Sequence, residues 1–444
     1  MTTANFPPGP KGHFLIGNIP EVNRDPLNFC SQCAHKYGDI IGWQFGLVPA
    51  IMLNHPNLIE EVLVTQHQNF VKSSVYRRGL RVVGNGLLTS EGDFWQRQRR
   101  LVQPAFHQER IANYAQVMVA YANRLLDSWQ DGSIRDLHQD MMSLTSQIVS
   151  KALFNIDIAG EISGVQAALN AVMDFNAKLS NQYLLPTWMP TPSNLRYQKA
   201  IQQLDEIVYH IIDQRRASSD DTGDLLSILL QVRDEGDGTG MTNQQVRDEA
   251  MTLFLAGHET TANAMTWTWF LLAQHSQVEA KLHEELQTVL GDRTPTVADL
   301  RQLRYTEQIV LEAMRLYPPV WGMSRVAKHD CVLGGYEVKA GTTVFICQWN
   351  VHRDSRFFEQ PEVFYPERWA DNQIKKLPHF AYFPFGGGQH ICIGKAFAMM
   401  EAVLLLATLA SKFRLTLQPN HPVVLQPSLT LRPRYGMKML LKKR

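Results

Sequence analysis

From Phe94 to Leu290 apolar residues recur mostly three and four positions apart, the spacing that gathers them on one face of a helix, so the middle of the chain is predicted to be helical. The pattern breaks at Pro186 to Asn194, Ser218 to Gly223 and Asp234 to Gly240, where Pro, Gly, Ser and Asp cluster, and these read as loops. Ahead of the helices, Asp39 to Phe45 and Ala50 to Leu53 read as a hairpin joined by Gly46-Leu47-Val48-Pro49. After Pro318-Pro319, short β-like runs lie around Val338, from Thr343 to Cys347, and between Val423 and Leu441. The longest stretch follows Thr242, which with Gln245 has the form of a capping box. It continues without proline from Asn243 to about Gln274, roughly 48 Å of helix. A second long helix is expected from Lys395 to Phe413. The expected class is mainly α, an α+β protein with a small sheet region. No repeat or dividing linker interrupts it, so residues 1–444 are expected to form one domain. Its β-rich part falls at about 38–55 and 320–350, its helical part at about 94–319 and 394–413.

Composition narrows the function. A chain of 444 residues, 45% hydrophobic, can bury a large core, and 43 basic against 42 acidic residues create no global field toward nucleic acid or an anionic membrane. A small-molecule site is the expectation. Five scattered cysteines (Cys30, Cys33, Cys331, Cys347, Cys392) are not a secreted disulfide scaffold. The N-terminus lacks a basic and apolar leader, and the most apolar stretch, Ala402 to Ala410, is far shorter than the ~20 residues that span a bilayer. A soluble, cytoplasmic protein without membrane anchor is expected.

Two segments carry chemistry. In Phe385-Gly386-Gly387-Gly388-Gln389-His390-Ile391-Cys392-Ile393-Gly394 the cysteine stands just before the Lys395 helix, whose N-terminal dipole and open N–H groups favour a thiolate, the form that binds iron. The glycines let the backbone turn sharply and pass close to a flat ligand. Phe385 is positioned to cover such a ligand and His390 to reach an anionic group on it. A buried structural cysteine after a Gly-rich turn is the plainer alternative. In the long helix, Ala256-Gly257-His258-Glu259-Thr260-Thr261 sets a polar cluster and a glycine among apolar turns. The Thr260 hydroxyl can bond back to the Ala256 carbonyl, and Gly257 can let the helix open into a groove for water or dioxygen. A polar stripe facing a neighbouring helix is the bland reading. A zinc-protease motif fails, because its second His would fall at Ala262.

These segments match F-x-x-G-x-[HR]-x-C-x-G and [AG]-G-x-[DE]-T-[TS]. With Glu312 and Arg315, Pro366-Glu367-Arg368-Trp369, and the W-x-x-x-R pair Trp95 and Arg99, all standing in order, the sequence resembles the cytochrome P-450 family from Phe6 onward. It looks like soluble bacterial members of the eukaryote-like branch, and in particular a cyanobacterial group related to retinoic-acid and sterol oxidising enzymes. The resemblance implies the helix-rich P-450 fold with its long central helix over haem b, and Cys392 as iron ligand. It implies that Trp95, Arg99, Arg325 and His390 contact haem propionates, that Glu259 relays protons and Thr260 holds the water network at dioxygen. Glu312, Arg315 and Arg368 become a structural charged triad.

The implied activity is a monooxygenase that uses dioxygen and two electrons to hydroxylate a C–H bond. No G-x-G-x-x-G fingerprint appears, so electrons come from an external ferredoxin or flavodoxin with its reductase. Arg97, Arg100, Lys375, Lys376 and Lys395 are candidate docking residues. The pocket is expected to draw on Val75 to Leu88, Phe175 to Met189, Ala256, Val320, Trp321, Met323, Leu429 and Thr430. Their apolar and aromatic character suits an elongated hydrophobic substrate, a retinoid ahead of a fatty acid, with Arg77, Arg78 and Lys178 available to a carboxylate. Rival readings are a haem-thiolate peroxygenase or isomerase, against which Glu259 and Thr260 argue, and a haem-based sensor without turnover. A c-type haem carrier attached through Cys30 and Cys33 fails at Ala34, where histidine is required.

Overall fold

The computed structural model describes residues 6–73, 80–157, 165–176, 189–218, 223–234, 236 and 238–444. Its elements of interest are, in chain order, β1 (Ile40–Phe45), β2 (Val48–Leu53), β3 (Phe70–Lys72), α1 (Gly92–Val102), α2 (Gln108–Ser128), α3 (Leu137–Phe154), α4 (Pro192–Ser218), α5 (Asn243–Gln274), α6 (Arg304–Leu316), β4 (Met323–Ala327), β5 (Thr343–Ile346), α7 (Lys395–Ala410), β6 (Leu425–Pro427) and β7 (Leu431–Pro433). The chain folds as two compact units, one from residues 1–74 and 311–392, the other from 75–310 and 393–444. Each is discontinuous in sequence, a division that no linker composition reveals. Among the described residues no helix is long and apolar enough to cross a membrane.

The first unit is built on a sheet of order β1-β2-β5-β4-β3, in which only β2 and β5 run parallel. The hairpin closes more tightly than the four-residue connection predicted: Phe45 pairs with Val48, leaving Gly46-Leu47 as the turn, with Gly46 at φ +62°. Pro49 is accommodated inside β2 because pairing with β5 begins only at Ala50, so its missing N–H costs no ladder bond. Ile51, Leu53, Phe70, Val344 and Ile346 then join Leu63, Phe380 and Phe383 in one buried cluster. That cluster lies under the segment that leads into the cysteine loop.

In the second unit α5 begins and ends where the sequence predicts. Thr242 Oγ1 accepts from the Gln245 N–H at 3.2 Å, and the Gln245 side chain accepts from the Thr242 N–H at 2.8 Å. The helix is buried over most of its length and packs along α3. α4 starts at Pro192, earlier than the predicted loop allows, because proline suits the first helical turn and Thr191 caps the Asn194 N–H. α7 stops at Ala410 rather than Phe413. Phe413 and Leu415 are buried on alternate positions of a strand, Phe413–Leu417, that pairs with Lys438–Lys443. β6 and β7 form a hairpin whose tip is Ser428-Leu429-Thr430. It is tied to α5 by the Trp267 indole donating to the Leu431 carbonyl at 2.9 Å.

Candidate active site

The cysteine loop belongs to the first unit. Gly386 and Gly388 have φ of +69° and +63°, the left-handed region where a side chain is strained. A Cβ on Gly387 would stand 2.1 Å from the Phe380 ring, and one on Gly388 would stand 2.1 Å from the Leu63 carbonyl oxygen. The loop is therefore pressed against the buried cluster on one side, and Gly388–His390 forms a single tight turn. The Cys392 N–H donates to the Phe385 carbonyl at 3.0 Å, and the residue is exposed; it is not the buried structural cysteine of the plainer reading. Phe385 and His390 are half-buried in the same loop, and Arg325 is buried on β4.

Beside it, Glu312 gathers a set of donors. Arg315 gives it two charge-assisted hydrogen bonds of 2.9 and 2.8 Å, Arg368 Nε donates at 3.0 Å, Trp369 Nε1 at 2.9 Å and the Tyr365 N–H at 3.1 Å. Arg315 also donates to the carbonyls of His352, Pro361 and Val363. The family resemblance brings Glu312, Arg315 and Arg368 together; Trp369 stands in the same motif without an assigned role, and the carbonyl collar has no sequence signal.

In the second unit the middle of α5 presents one open stripe. Ala256 is exposed and Gly257 and Thr260 half-buried, whereas His258, Glu259 and Thr261 are buried. Thr260 Oγ1 donates to the Ala256 carbonyl at 2.7 Å, as expected from the sequence. The helix nonetheless stays unbroken at Gly257. A Cβ there would lie 3.2 Å from a methyl group of Val149 on α3, so the glycine serves close packing of two helices rather than a local opening. Glu259 turns to the β6–β7 hairpin: Thr430 Oγ1 donates to its Oε1, and Arg432 contacts the same oxygen at 2.5 Å. Burial pushes this carboxyl up, but the Arg432 charge, the Thr430 hydrogen bond and His258 outweigh it and hold it below the ordinary carboxylate range. Thr430, expected in the substrate pocket, is buried and spends its hydroxyl on Glu259. Arg432 has no signal in the sequence.

On α1, Trp95 is buried and Arg99, one turn on, is half-buried. Leu429 is half-buried at the hairpin tip; in the first unit Val320 and Met323 are half-buried and Trp321 is buried. Arg77, Arg78 and Lys178 lie outside the described residues, as do Val75 to Gly79 of the expected Val75 to Leu88 segment and most of Phe175 to Met189. The basic docking set is thinner than its count suggests, because Asp234 pairs with both Arg97 and Arg100 at 3.8 and 3.3 Å.

Glu401 on α7 is the group that the sequence conceals most completely. It is fully buried, and its carboxyl oxygens make no hydrogen bond of ordinary geometry among the described residues. Burial pushes it up to about 8 and nearby Thr261 only partly opposes this, so the folded protein holds a neutral acid at pH 7. Its folded value lies above its unfolded one, so stability falls as pH rises from about 5 to 8, by on the order of 3 kcal/mol at pH 7. Glu401→Gln is expected to remove this fall, so the melting-temperature difference between variant and parent should widen across that window. A constant difference would show that Glu401 takes up no proton on folding.

In the first unit, a loop whose Gly387 and Gly388 leave no room for a Cβ, an exposed thiol at its end and buried Arg325 on β4 fit a flat, iron-holding ligand with acidic groups; Cys392 is the residue that could hold the iron, and Arg325 and His390 the ones that could serve the acidic groups. Fold and residues thus define a haem-binding oxygenase. A family model described as Cytochrome P450 matches residues 7–440, and the chain belongs to the cytochrome P450 family. It is 36% identical over 426 residues to cyclooctatin synthase of Streptomyces melanosporofaciens, covering 95% of this chain and 92% of the relative. It is 35% identical to cyclooctat-9-en-7-ol 5-monooxygenase of the same organism (91% and 88% covered), and 34% identical to pentalenene oxygenase of Streptomyces avermitilis (92% and 91%). The crystal structure of the cytochrome P450DA heme domain matches with a TM-score of 0.91 at 27% identity, covering 100% of this chain and 99% of that one. The cofactor is haem b, and the chain is a monooxygenase of this family.

Proposed function

We propose that the protein hydroxylates a C–H bond of a neutral cyclic terpene or its alcohol, with Cys392 holding the haem iron and Glu259 and Thr260 managing protons. Haem held by a thiolate supplies the activation of dioxygen, placing one oxygen atom in the substrate while two electrons and two protons reduce the other to water. The chain's own contribution is positional. The exposed Ala256–Thr260 stripe offers a hydroxyl already fixed by its bond to the Ala256 carbonyl, whose oxygen lone pairs can hold an ordered water. Glu259, its neighbour, is the acid that can pass a proton to that water. The observations that support this reading are, each within its own unit, an exposed cysteine at the end of a tightly turned glycine loop and an acid–alcohol pair on a long buried helix. Trp95, Arg99, Arg325 and His390 serve the propionates, Phe385 covers the thiolate side, and Ala256, Val320, Trp321, Met323 and Leu429 supply apolar surface. Electrons come from an external ferredoxin or flavodoxin with its reductase, docking on exposed Lys375, Lys376 and Lys395.

The relatives' names carry a cyclic hydrocarbon and a cyclic alcohol, which favours neutral substrates; the elongated acid suggested by sequence, a retinoid or a fatty acid, is the competing class. Titrating the ferric holoenzyme with limonene, cedrol, retinoic acid and palmitic acid distinguishes them through the low-to-high-spin shift. The neutral terpenes are expected to give the larger shift. A shift with the two acids alone would overturn the substrate class. Thr260→Ala should keep the shift but divert most reducing equivalents into peroxide, and unchanged product per electron pair would remove Thr260 from proton handling.

A further inference from the structure

The root of the cysteine loop, Ala381-Tyr382-Phe383-Pro384-Phe385, is fastened within its own unit by two side-chain bonds. The Tyr382 hydroxyl donates to the Leu311 carbonyl of α6 at 2.8 Å, and the Phe383 N–H donates to Nε2 of His352 at 3.0 Å. A neutral imidazole that accepts at Nε2 carries its hydrogen on Nδ1, here on the side of the Met314 carbonyl. His352 follows the short helix Gln348–Val351 and is wholly buried. Its ring lies against those of Tyr382 and Phe383 at centroid distances of 5.1 and 5.2 Å. Its own carbonyl accepts from Arg315 at 2.9 Å, so the histidine is itself anchored. From Phe383 the bonds continue into the loop: its carbonyl accepts from the Gly386 N–H at 2.9 Å, and the Phe385 carbonyl from the Cys392 N–H at 3.0 Å.

We propose that His352 is a positioning residue for Cys392: its Nε2 seats the root of the cysteine loop, and without that acceptor the loop no longer presents its thiolate in one place. The inference rests on the ligand role given to Cys392 above. Phe383 packs in the buried cluster with Leu63, Phe70 and Phe380, where water does not replace a lost partner. A buried N–H left without its acceptor costs more than the bond contributed, so the segment gains by leaving its seat. Only a neutral ring can accept. Burial first, then the charges of Arg315 on α6 and of Arg353 next in the chain, push the imidazole well below its ordinary range, and the Met314 carbonyl opposes them only in part. His352 is therefore neutral at pH 7. The charged triad fixes Arg315; His352 is the residue through which that fixed point reaches the loop.

The test compares, in the holoenzyme, His352→Leu, which removes the acceptor, with His352→Gln, whose amide oxygen can take the same N–H. Hydrogen–deuterium exchange across residues 380–392 should quicken about tenfold or more in His352→Leu and stay near the parent rate in His352→Gln, with residues 311–316 of α6 protected in both. In the same samples part of the reduced carbon-monoxide complex of His352→Leu should lose the red-shifted Soret band, and His352→Gln should keep most of it. If His352→Leu folds poorly, replacement of Phe383 by phenyllactic acid deletes the N–H alone and should move both readouts in the same direction. Parent-like exchange in a folded His352→Leu overturns the seat, and faster exchange with an undiminished band overturns the positioning of Cys392. Equal losses in His352→Leu and His352→Gln overturn the proposal too, because the acceptor is then not the cause. A parent that itself lacks the red-shifted band overturns Cys392 as the iron ligand, a failure that the exchange measurement does not share.

Discussion

Replacement of Cys392 by alanine is expected to abolish the red-shifted Soret band of the reduced carbon-monoxide complex and to reduce monooxygenation to background, while leaving the fold intact. The fold should survive because the loop is held by parts that the substitution spares. The backbone bond from residue 392 to the Phe385 carbonyl needs no side chain, and the glycines pressed on Leu63 and Phe380 are unchanged. What is lost is the thiolate, the one soft anionic donor this loop presents. Far-ultraviolet circular dichroism should match the parent, so that a lost spectrum cannot be blamed on unfolding. Retention of the red-shifted band in a folded Cys392→Ala protein would remove Cys392 as the iron ligand.

What the sequence made legible was what is local in the chain. The start and end of α5 followed from a capping box and a proline-free run, both readable within a few residues, and the structure has the same limits. The glycine loop was legible because backbone strain at Gly386 and Gly388 demands a residue type that stands out. α7 was drawn too long for the converse reason. Helix propensity continues through Phe413, and only pairing with Lys438–Lys443, far along the chain, turns that residue into a strand. Gly257 was located but misinterpreted, since its reason is Val149 on another helix.

The same limit explains the polar groups that were missed. Arg432 meets Glu259, and Asn263 meets His138, across long sequence separations, and an arginine between a leucine and a proline announces nothing about its partner. Glu401 sits in α7, a strongly apolar helix, where periodicity marks a core and cannot say that an acid remains protonated within it. The charged triad was placed through family resemblance alone, since an acid and a base three apart on a helix are as common at the surface as in a core.

That triad carries the largest expected loss of stability. Glu312 and Arg315 are both wholly buried, and five donors converge on the two Glu312 oxygens. Glu312→Ala leaves the Arg315 guanidinium with its carbonyl partners but no counter-charge, and orphans the Trp369 indole, a loss of about 3–5 kcal/mol. Against a total of roughly 5–15 kcal/mol this should drop the urea midpoint of the holoenzyme steeply or prevent its accumulation. Arg368→Leu should cost less, because Arg368 lies at the edge of the cluster and Arg315 keeps Glu312 paired. The orphaned charge, rather than lost volume, is the stated cause, and a double variant separates the two. Adding Arg315→Met to Glu312→Leu should restore part of the midpoint that Glu312→Leu alone loses, since a buried ion pair is itself costly to desolvate and an apolar pair of similar volume is tolerated. If the double variant is no more stable than Glu312→Leu, the unpaired guanidinium is not what destabilises the protein, and the carbonyls of His352, Pro361 and Val363, which Arg315 also holds, become the reason for its burial.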